Sequence, residues 1–328
     1  MNAEQAILSG RDIRKRFLLK ASPTSPSGVL TALDGVSLGA ARGETLGIAG
    51  ESGCGKSTLG KILSGLMEPD NGEVRYLGSL IRELAPEAFN AFRRRTQMIF
   101  QDPFSSLNPR MRVGDIIAEP LVIAGESSSA ERRSTVETIM GKVGLTAEQY
   151  NRFPHEFSGG QRQRIGIARA LAASPEIIIA DEPVSSLDIS IQAQIINLLQ
   201  AMKAEYSLSL VIISHDLSVL RHICDRVAIM YLGIIVESTS AAELFRRCLH
   251  PYTEALIAAI PKIDAGTHPK RCILKDDLPS PLAVPGGCRF HPRCRYAETI
   301  CRREVPPLEE KQGGHFAACH FSNAIFGI

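Results

Sequence analysis

The sequence lacks a run of apolar residues long enough to cross a membrane. No stretch of the 328 residues approaches the length of about 18 apolar residues that a spanning helix needs. Residues 1–17 also lack the charged start and apolar centre of a secretory signal peptide. We therefore expect a protein that stays in the cytoplasm and has no membrane-spanning segment of its own.

An excess of charge of one sign is missing as well. The 37 lysines and arginines nearly balance the 35 aspartates and glutamates, which leaves a formal net charge of +2. This balance gives no electrostatic reason to expect a nucleic acid as the main partner. The basic clusters at residues 14–16 and 93–95 are interpreted as solvated faces or neighbours of phosphate.

The length and composition fit a globular α/β protein. Hydrophobic residues make up 44% of the chain, which is ordinary for a folded domain. The chain exceeds one average domain, but α/β domains often run past about 200 residues. We expect one large α/β domain with a smaller appendage.

The most informative stretch is GESGCGKST at residues 50–58, between a strand pattern at residues 45–49 and an amphipathic helix pattern. Its spacing is typical of a phosphate-binding loop, in which backbone N–H groups and a helix N-terminus converge on an anion. Lys56 is predicted to reach the β- and γ-phosphates, and Ser57 to place its hydroxyl on Mg²⁺. The alternative is a glycine turn that only joins strand to helix. The other candidate ATP-binding residues of the loop are Gly50, Ser52, Gly53, Gly55 and Thr58.

A second anion-binding helix start is predicted at FSGGQ, residues 157–161. Ser158 is a natural N-cap for the helical run at residues 162–171, and Gly159 and Gly160 would let a phosphate approach the first N–H groups. Gln161 completes this candidate site. It closes a stretch of helical and turn patterns, which we interpret as a helical subdomain inserted at about residues 103–170.

Polar residues follow three predicted strands. A buried strand at residues 177–180 ends in Asp181 and Glu182, which would hold Mg²⁺ and polarise the attacking water, respectively; the alternative is an acidic loop start. The strand at residues 210–213 leads to His215, a structural histidine or, as we favour, a contact to the γ-phosphate. The strand at residues 97–100 leads to Gln101.

Two further residues are candidates for nucleotide contact. Phe17, at the end of a strand predicted over residues 7–17, could stack on adenine, although a lone phenylalanine is as readily a core residue. Asp188 ends the sequence SSLD before a helix predicted over residues 192–204.

Four of the eight cysteines, Cys288, Cys294, Cys301 and Cys319, fall in a proline- and glycine-rich tail that begins at about residue 262. In a reducing compartment, clustered cysteines more often bind metal than form disulfides. Four thiolates could close a Zn²⁺ site or hold a [4Fe–4S] cluster, and unliganded thiols are the third possibility. The absence of a CxxC pair disfavours a zinc ribbon, whereas His291, His315 and His320 keep mixed zinc ligation open.

Taken in chain order, these motifs resemble the series that characterises the ABC ATPases. The series comprises Phe17, GESGCGKST, Gln101, FSGGQ, IIIADEP, SSLD and His215. The resemblance implies an ABC-type P-loop NTPase core over residues 1–262, with an antiparallel β subdomain and an inserted helical subdomain, followed by a C-terminal extension over residues 263–328. Phe157 stands where leucine is commoner in the family.

The resemblance also implies roles and a second subunit. Glu182, His215 and Gln101 would be the catalytic residues, with Gln101 also near Mg²⁺. In this family two subunits face head to tail. ATP on Lys56 and Ser57 of one chain would therefore meet the FSGGQ helix start of the other.

More narrowly, residues 100–110, 231–237 and 250–256 and the cysteine-bearing tail resemble the ATP-binding subunits of bacterial oligopeptide and dipeptide importers, including the type that energises nickel or glutathione uptake. The implied partners are a second, related ATPase subunit, two membrane-spanning permease subunits and a periplasmic or lipid-anchored substrate-binding protein, at the cytoplasmic face of the inner membrane. The permease is expected to dock near Gln101 and residues 103–112, which include Phe104 and Leu107.

The same resemblance favours the [4Fe–4S] cluster over zinc, because some subunits of this type carry one on this cysteine pattern. Its role is expected to be structural or redox-regulatory, away from the ATP phosphates. The competing functions are a soluble ABC-fold ATPase of DNA repair, translation or iron–sulfur assembly, and a nucleotide-sensing regulator. The long insertions and the second cassette of such soluble proteins are not in this sequence, and the presence of both Glu182 and His215 disfavours a regulator.

Overall fold

The computed structural model describes residues 6–19, 28–102, 104, 106–125, 128–185, 187–260, 279–280 and 282–327. Its strands are β1 (Ala6–Leu19), β2 (Gly28–Ala41), β3 (Thr45–Ala49), β4 (Asn71–Tyr76), β5 (Ser79–Leu80), β6 (Thr96–Ile99), β7 (Ile177–Asp181), β8 (Ser209–Ser214), β9 (Arg226–Tyr231), β10 (Ile234–Ser240), β11 (Glu309–Gln312) and β12 (His315–Ala317). Its helices are α1 (Lys56–Leu63), α2 (Pro86–Arg95), α3 (Val113–Ile123), α4 (Ser129–Lys142), α5 (Gly159–Ala172), α6 (Ile189–Tyr206), α7 (Leu217–Ile223), α8 (Ala241–Arg246), α9 (Pro251–Ala258) and α10 (Ser322–Phe326).

Within the described residues, the main sheet has the order β11-β12-β10-β9-β3-β8-β7-β6. The strands from β9 to β6 pair in parallel, and β10, β12 and β11 add to them antiparallel. Every residue of β3, β7 and β8 is buried. Parallel strands covered on both faces are apolar along their whole length, which is why the short aliphatic runs predicted these strands correctly.

A second, four-stranded sheet has the order β2-β1-β4-β5 and is antiparallel throughout. Its first two strands pair over most of their 14 residues each, so they extend further than the sequence pattern predicted. Ile13 and Leu33 from this sheet pack into one core with Leu59 and Ile62 of α1. The antiparallel β subdomain therefore rests directly on the helix that follows the phosphate loop.

The helices α3, α4 and α5 form the expected helical subdomain. Side chains from all three share one core with the main sheet, among them Ile117 of α3, Met140 of α4 and Ile165 of α5. Ser128 caps α4, because its hydroxyl accepts a hydrogen bond from the Glu131 N–H while the Glu131 carboxylate accepts one from the Ser128 N–H. Among the described residues, no helix combines the length and apolarity needed to span a bilayer.

The cysteine-bearing tail adds strands to the main sheet. Glu237 and Ser238 of β10 pair with Ala317 and Phe316 of β12, and β11 pairs with β12 in turn. The tail has little apolar material of its own, so it gains order by continuing a sheet that already exists. The predicted domain boundary at residues 262–263 lies outside the described residues.

One buried carboxylate joins the tail to the sheet. Glu237 is fully buried, and its carboxylate accepts hydrogen bonds from the backbone N–H groups of Leu249 and His250 at 2.5 and 3.1 Å. Nε2 of His315, on β12, lies 2.7 Å from the same carboxylate. Three elements, β10, the start of α9 and β12, therefore meet at one side chain.

Replacing this carboxylate is expected to destabilise the protein. Glu237→Ala leaves three buried polar groups without their partner, and each such group costs about 1–3 kcal/mol. The midpoint of urea unfolding should fall accordingly. The matched control is Glu309→Ala on β11, which removes only an exposed ion pair with Lys311 and should cost at most about 1 kcal/mol. Equal midpoints for the two variants would contradict the anchoring role of Glu237.

Candidate nucleotide-binding site

The phosphate loop, residues 50–55, connects β3 to α1 in backbone conformations that suit glycine. Gly50, Gly53 and Gly55 have φ angles of 154°, 80° and 106°. A Cβ atom on Gly50 would lie 2.3 Å from the Met230 carbonyl oxygen, and one on Gly55 would lie 2.2 Å from the Ala32 carbonyl oxygen. Close packing and backbone conformation both require glycine here. Ser52 is exposed on the loop, and Thr58 lies half-buried in the first turn of α1.

Lys56 is buried at the start of α1. Its Nζ donates hydrogen bonds to the carbonyl oxygens of Gly50 and Glu51, at 2.7 and 2.9 Å. The ammonium therefore lies inside the curve of the loop, on the side toward which a phosphate-binding loop directs its charge.

Ser57 and Asp181, two of the residues predicted to bind Mg²⁺, come together from different elements. The Ser57 hydroxyl donates to the Asp181 carboxylate at 2.9 Å. Burial raises the pKa of Asp181, and the Ser57 hydrogen bond opposes that rise. A hydroxyl and a carboxylate beside a phosphate loop are oxygen ligands of the kind that Mg²⁺ takes, so the residues fit this ion.

Glu182, Gln101 and His215 form one cluster at the same edge of the main sheet. Gln101 Nε2 donates to the Glu182 carboxylate at 2.9 Å, and His215 Nδ1 lies 3.3 Å from the same oxygen. Glu182 has a φ of 45°, an uncommon conformation for a residue with a side chain, and its N–H donates to Ile213. Such backbone strain is often found at functional residues.

The FSGGQ motif lies on the helical subdomain, where Ser158 caps α5 as predicted. The Ser158 hydroxyl accepts from the Gln161 N–H at 3.4 Å, and the Gln161 side chain accepts from the Ser158 N–H at 3.1 Å. Ser158 is exposed, whereas a Cβ atom on Gly160 would meet the Ile191 side chain at 2.5 Å. A Cβ atom on Gly159 would lie 3.3 Å from the Leu187 side chain. The structure thus places this helix start on a different subdomain from the phosphate loop.

The two other predicted nucleotide contacts, Asp188 and Phe17, lie at the N-cap of α6 and on β1, respectively. Asp188 caps α6 by accepting from the N–H of Ile191, and its carboxylate also accepts from the Ser190 hydroxyl, which lowers the pKa of Asp188. Phe17 is half-buried near the end of β1, and the Lys15 ammonium lies 5.9 Å from its ring centre.

The expected docking segment is only partly suited to its predicted role. Phe104 is exposed, and the guanidinium of Arg162 stacks 3.8 Å from its ring centre. Leu107, however, is buried in the main core, so a substitution there would act on the packing of this segment.

The four clustered cysteines line one small cavity in the tail. Cys288, Cys294, Cys301 and Cys319 share it with His250, His291 and His320. Burial raises the pKa of Cys288 to about 11 and that of Cys294 to about 12, and the neighbouring thiols add to the rise. His315 points to Glu237 instead. The donor type fits a soft metal group, although no group of three or more candidate ligands among the described residues stands in position to hold a metal ion.

One contact of the phosphate loop was missed by sequence reasoning. Arg293, the neighbour of Cys294, forms a two-pronged ion pair with Glu51, the second residue of the loop. The two residues are 242 positions apart, and no local pattern in the sequence links them.

A glycine loop between a parallel strand and a helix, with two carboxylates at the end of a nearby strand, defines a P-loop nucleotide-binding protein. A family model described as "ABC transporter" matches residues 33–185, and one described as "Oligopeptide/dipeptide transporter, C-terminal region" matches residues 236–301. The chain belongs to the ATP-binding proteins of the ABC transporter family, within the oligopeptide/dipeptide group.

Full-length relatives support this assignment. The chain is 48% identical to the oligopeptide transport ATP-binding protein AppF of Bacillus subtilis, over 97% of this chain and 98% of that protein. It is 46% identical to the dipeptide transport ATP-binding protein DppF of Escherichia coli, over 96% and 94%. A solved ATP-binding cassette, described as a dimer in a post-hydrolysis state bound to ADP and Pi, has 29% identity and a TM-score of 0.64, over 71% of this chain and 98% of that one.

Two substitutions are expected to separate turnover from binding. Glu182→Gln should lower kcat for ATP by about 10²- to 10⁴-fold, the usual contribution of a general base, while the chain still binds ATP. Lys56→Ala should instead weaken nucleotide binding itself. Glu83→Gln, which changes an exposed carboxylate outside the site, is the matched control. Hydrolysis of ATP by the Glu182 variant at the parental rate would refute its assignment as the base.

Proposed function

We propose that this chain is the ATP-hydrolysing subunit that energises peptide import across the bacterial inner membrane, from a peripheral position on the cytoplasmic face. The cluster of Gln101, Glu182 and His215 beside Lys56 and the Ser57–Asp181 pair is the observation that carries the proposal. The functions of the relatives, oligopeptide and dipeptide transport, support the substrate class.

The geometry supports a mechanism in which each residue has one task. Lys56 and the loop N–H groups would hold the phosphates of ATP. Ser57 and Asp181 would hold Mg²⁺, which would neutralise charge on the phosphates. Glu182 orients and deprotonates the attacking water. Gln101 and His215 both contact one oxygen of the Glu182 carboxylate and so hold it in place, which limits its reorganisation during reaction.

We propose that hydrolysis requires two subunits. The FSGGQ helix start and the phosphate loop lie on different subdomains, so a facing chain can supply the former to ATP bound on the latter. The exposed Ser158 and Asp188 are available for such contacts. The dimeric state described for the similar cassette supports this arrangement. The second chain is proposed to be a related but different ATPase subunit.

A groove between α2 and α3 is the proposed docking site for the membrane-spanning subunits. It has a volume of about 790 Å³ and is lined by Arg93, Arg94, Gln97, Glu119 and Ile123, among others. Ile123 is 80% exposed at the end of α3. An apolar floor with charges of both signs at its rim suits a short amphipathic helix of a permease. The groove lies beside the segment that follows Gln101.

If the groove is the docking site, a substitution in it should abolish peptide uptake without abolishing ATP hydrolysis. Ile123→Asp should abolish co-purification with the permease subunits and peptide uptake, because it places a charge where an apolar contact is needed. ATP hydrolysis by the isolated chain should stay near the parental rate. Val305→Asp, a similar change at an exposed position of the tail, is the control. Normal uptake by the Ile123 variant would rule the groove out as the docking site.

We propose further that residues 263–328 form a C-terminal extension in which the four cysteines hold a [4Fe–4S] cluster. The convergence of four thiols on one cavity supports a soft-metal site, and zinc is the alternative. Bound iron would supply cross-links between Cys288, Cys294, Cys301 and Cys319. The four cysteines lie on separate turns of the tail. Two of these turns are already joined by the hydrogen bond from the Cys288 N–H to the Cys301 carbonyl oxygen.

Metal analysis distinguishes these possibilities. Protein purified without oxygen should be brown and contain about four iron atoms and four sulfides per chain. Cys294→Ser should bleach it, whereas Cys248→Ser, at a cysteine outside the cavity, should not. If the anaerobic protein is colourless and contains one zinc per chain, the bound metal is zinc and not an iron–sulfur cluster. Metal-free protein would refute the metal site.

Two other functions stay open to experiment. An importer of nickel, glutathione or another small solute would use the same ATP chemistry, and uptake assays with each solute separate it from a peptide importer. A soluble ABC ATPase without transport would not co-purify with membrane-spanning subunits. Co-purification from membranes is therefore the most discriminating test of the proposed function.

A further inference from the structure

Arg293 reaches the phosphate loop from the cysteine-bearing tail. It is only 8% exposed, and its Nη1 and Nη2 donate to the two carboxylate oxygens of Glu51 at 2.6 and 3.0 Å. Its third donor, Nε, is buried without a hydrogen-bond partner among the described residues. A two-pronged pair fixes both the distance and the plane of the Glu51 carboxylate, which a single hydrogen bond cannot do.

Glu51 is held at three points. Besides the Arg293 pair, its backbone N–H donates to the Tyr252 hydroxyl at 2.9 Å. Its carbonyl oxygen accepts from Nζ of Lys56 at 2.9 Å. Only Glu51 therefore lies between Arg293 and the lysine that binds phosphate. Of the three residues that hold Glu51, Arg293 and Tyr252 lie outside the phosphate loop.

The same stretch of the tail has a second contact near the loop. Arg289 pairs with the Asp34 carboxylate and donates to the Leu232 carbonyl. The next residue, Gly233, donates its N–H to the carbonyl of Cys54 in the loop at 2.9 Å. Residues 288–294, from the first clustered cysteine to the second, thus support the loop from two directions.

We propose that Arg293 is a positioning residue for the phosphate loop, and that the cysteine-bearing tail acts on ATP binding through it. The loop contains three glycines with positive φ and is intrinsically flexible. Holding Glu51 in place keeps the loop N–H groups and Lys56 arranged before ATP arrives, which lowers the entropy lost on binding. The proposal that the tail acts on ATP binding rests on the proposed function, in which the four cysteines form one site.

A simpler role for Arg293 would be to neutralise the charge of Glu51 near the phosphates. The two roles predict opposite effects of Glu51→Gln. If Arg293 only cancels a repulsive charge, removing that charge leaves ATP binding unchanged or tighter. If the ion pair positions the loop, the same substitution weakens binding.

The experiment measures the Kd of the full-length chain for a fluorescent ATP analogue with Mg²⁺, and kcat and KM for ATP. Arg293→Met and Glu51→Gln should each raise Kd and KM roughly 3- to 30-fold, the usual range for residues that act through a neighbour. The double variant should be no weaker than either single variant. Arg293→Lys keeps the charge but loses the two-pronged geometry, so it should restore binding only in part.

Arg295→Met is the matched control. Arg295 is two residues further along the tail and pairs with Glu254 on α9 rather than with the loop. It should leave Kd at the parental value. Parental or tighter binding in Glu51→Gln, a parental Kd in Arg293→Met, or additive losses in the double variant would each overturn the positioning role. Failure of the parental chain itself to bind ATP would instead refute the proposed function.

The proposed effect of the cysteines on ATP binding is tested with the same measurement of Kd. Cys294→Ser should weaken ATP binding in the parental chain and add nothing in the Arg293→Met background. Cys248→Ser should have no effect in either. An equal loss from Cys294→Ser in both backgrounds, or no loss in the parental chain, would overturn the coupling through Arg293.

Discussion

The parallel register of β3, β8 and β7 aligns the ends of these strands at one edge of the main sheet. Ala49 pairs with Ser214, and Asp181 pairs with Ile213, so the chain leaves all three strands at nearly the same level. The phosphate loop, the Glu182 carboxylate and His215 emerge there together. A shift of one residue in any of these strands would turn its side chains to the opposite face and separate the catalytic groups.

The parts of this arrangement that depend on short-range patterns could be predicted from the sequence. Aliphatic runs identified β3, β7 and β8, because a strand buried on both faces leaves no room for polar residues. The cap of α5 was predictable from Ser158 because an N-cap is a local hydrogen bond. In contrast, no helix was predicted at α2, which is short, buries only Phe92 and ends in three arginines, so few apolar residues mark it.

Features that depend on distant pairing could not be predicted in the same way. Leu107 belongs to the segment that was expected to receive the permease, but the fold buries it in the core that it shares with α3, α4 and α5. The pair between Arg293 and Glu51 joins residues 242 positions apart, and many other arginines and glutamates could have matched equally well. Charge identity alone does not select partners, because geometry decides which opposite charges meet.

The tail meets two physical requirements of the core at once. Without β12, the outer side of β10 would present unpaired backbone groups, which invite pairing with another chain. The tail supplies those hydrogen bonds, and His315 of β12 is held there by the buried Glu237 carboxylate. The same tail reaches across to Glu51 through Arg293. Because the same tail contacts both the sheet edge and the phosphate loop, we expect a change that loosens the tail at the edge to weaken its contact with the loop as well.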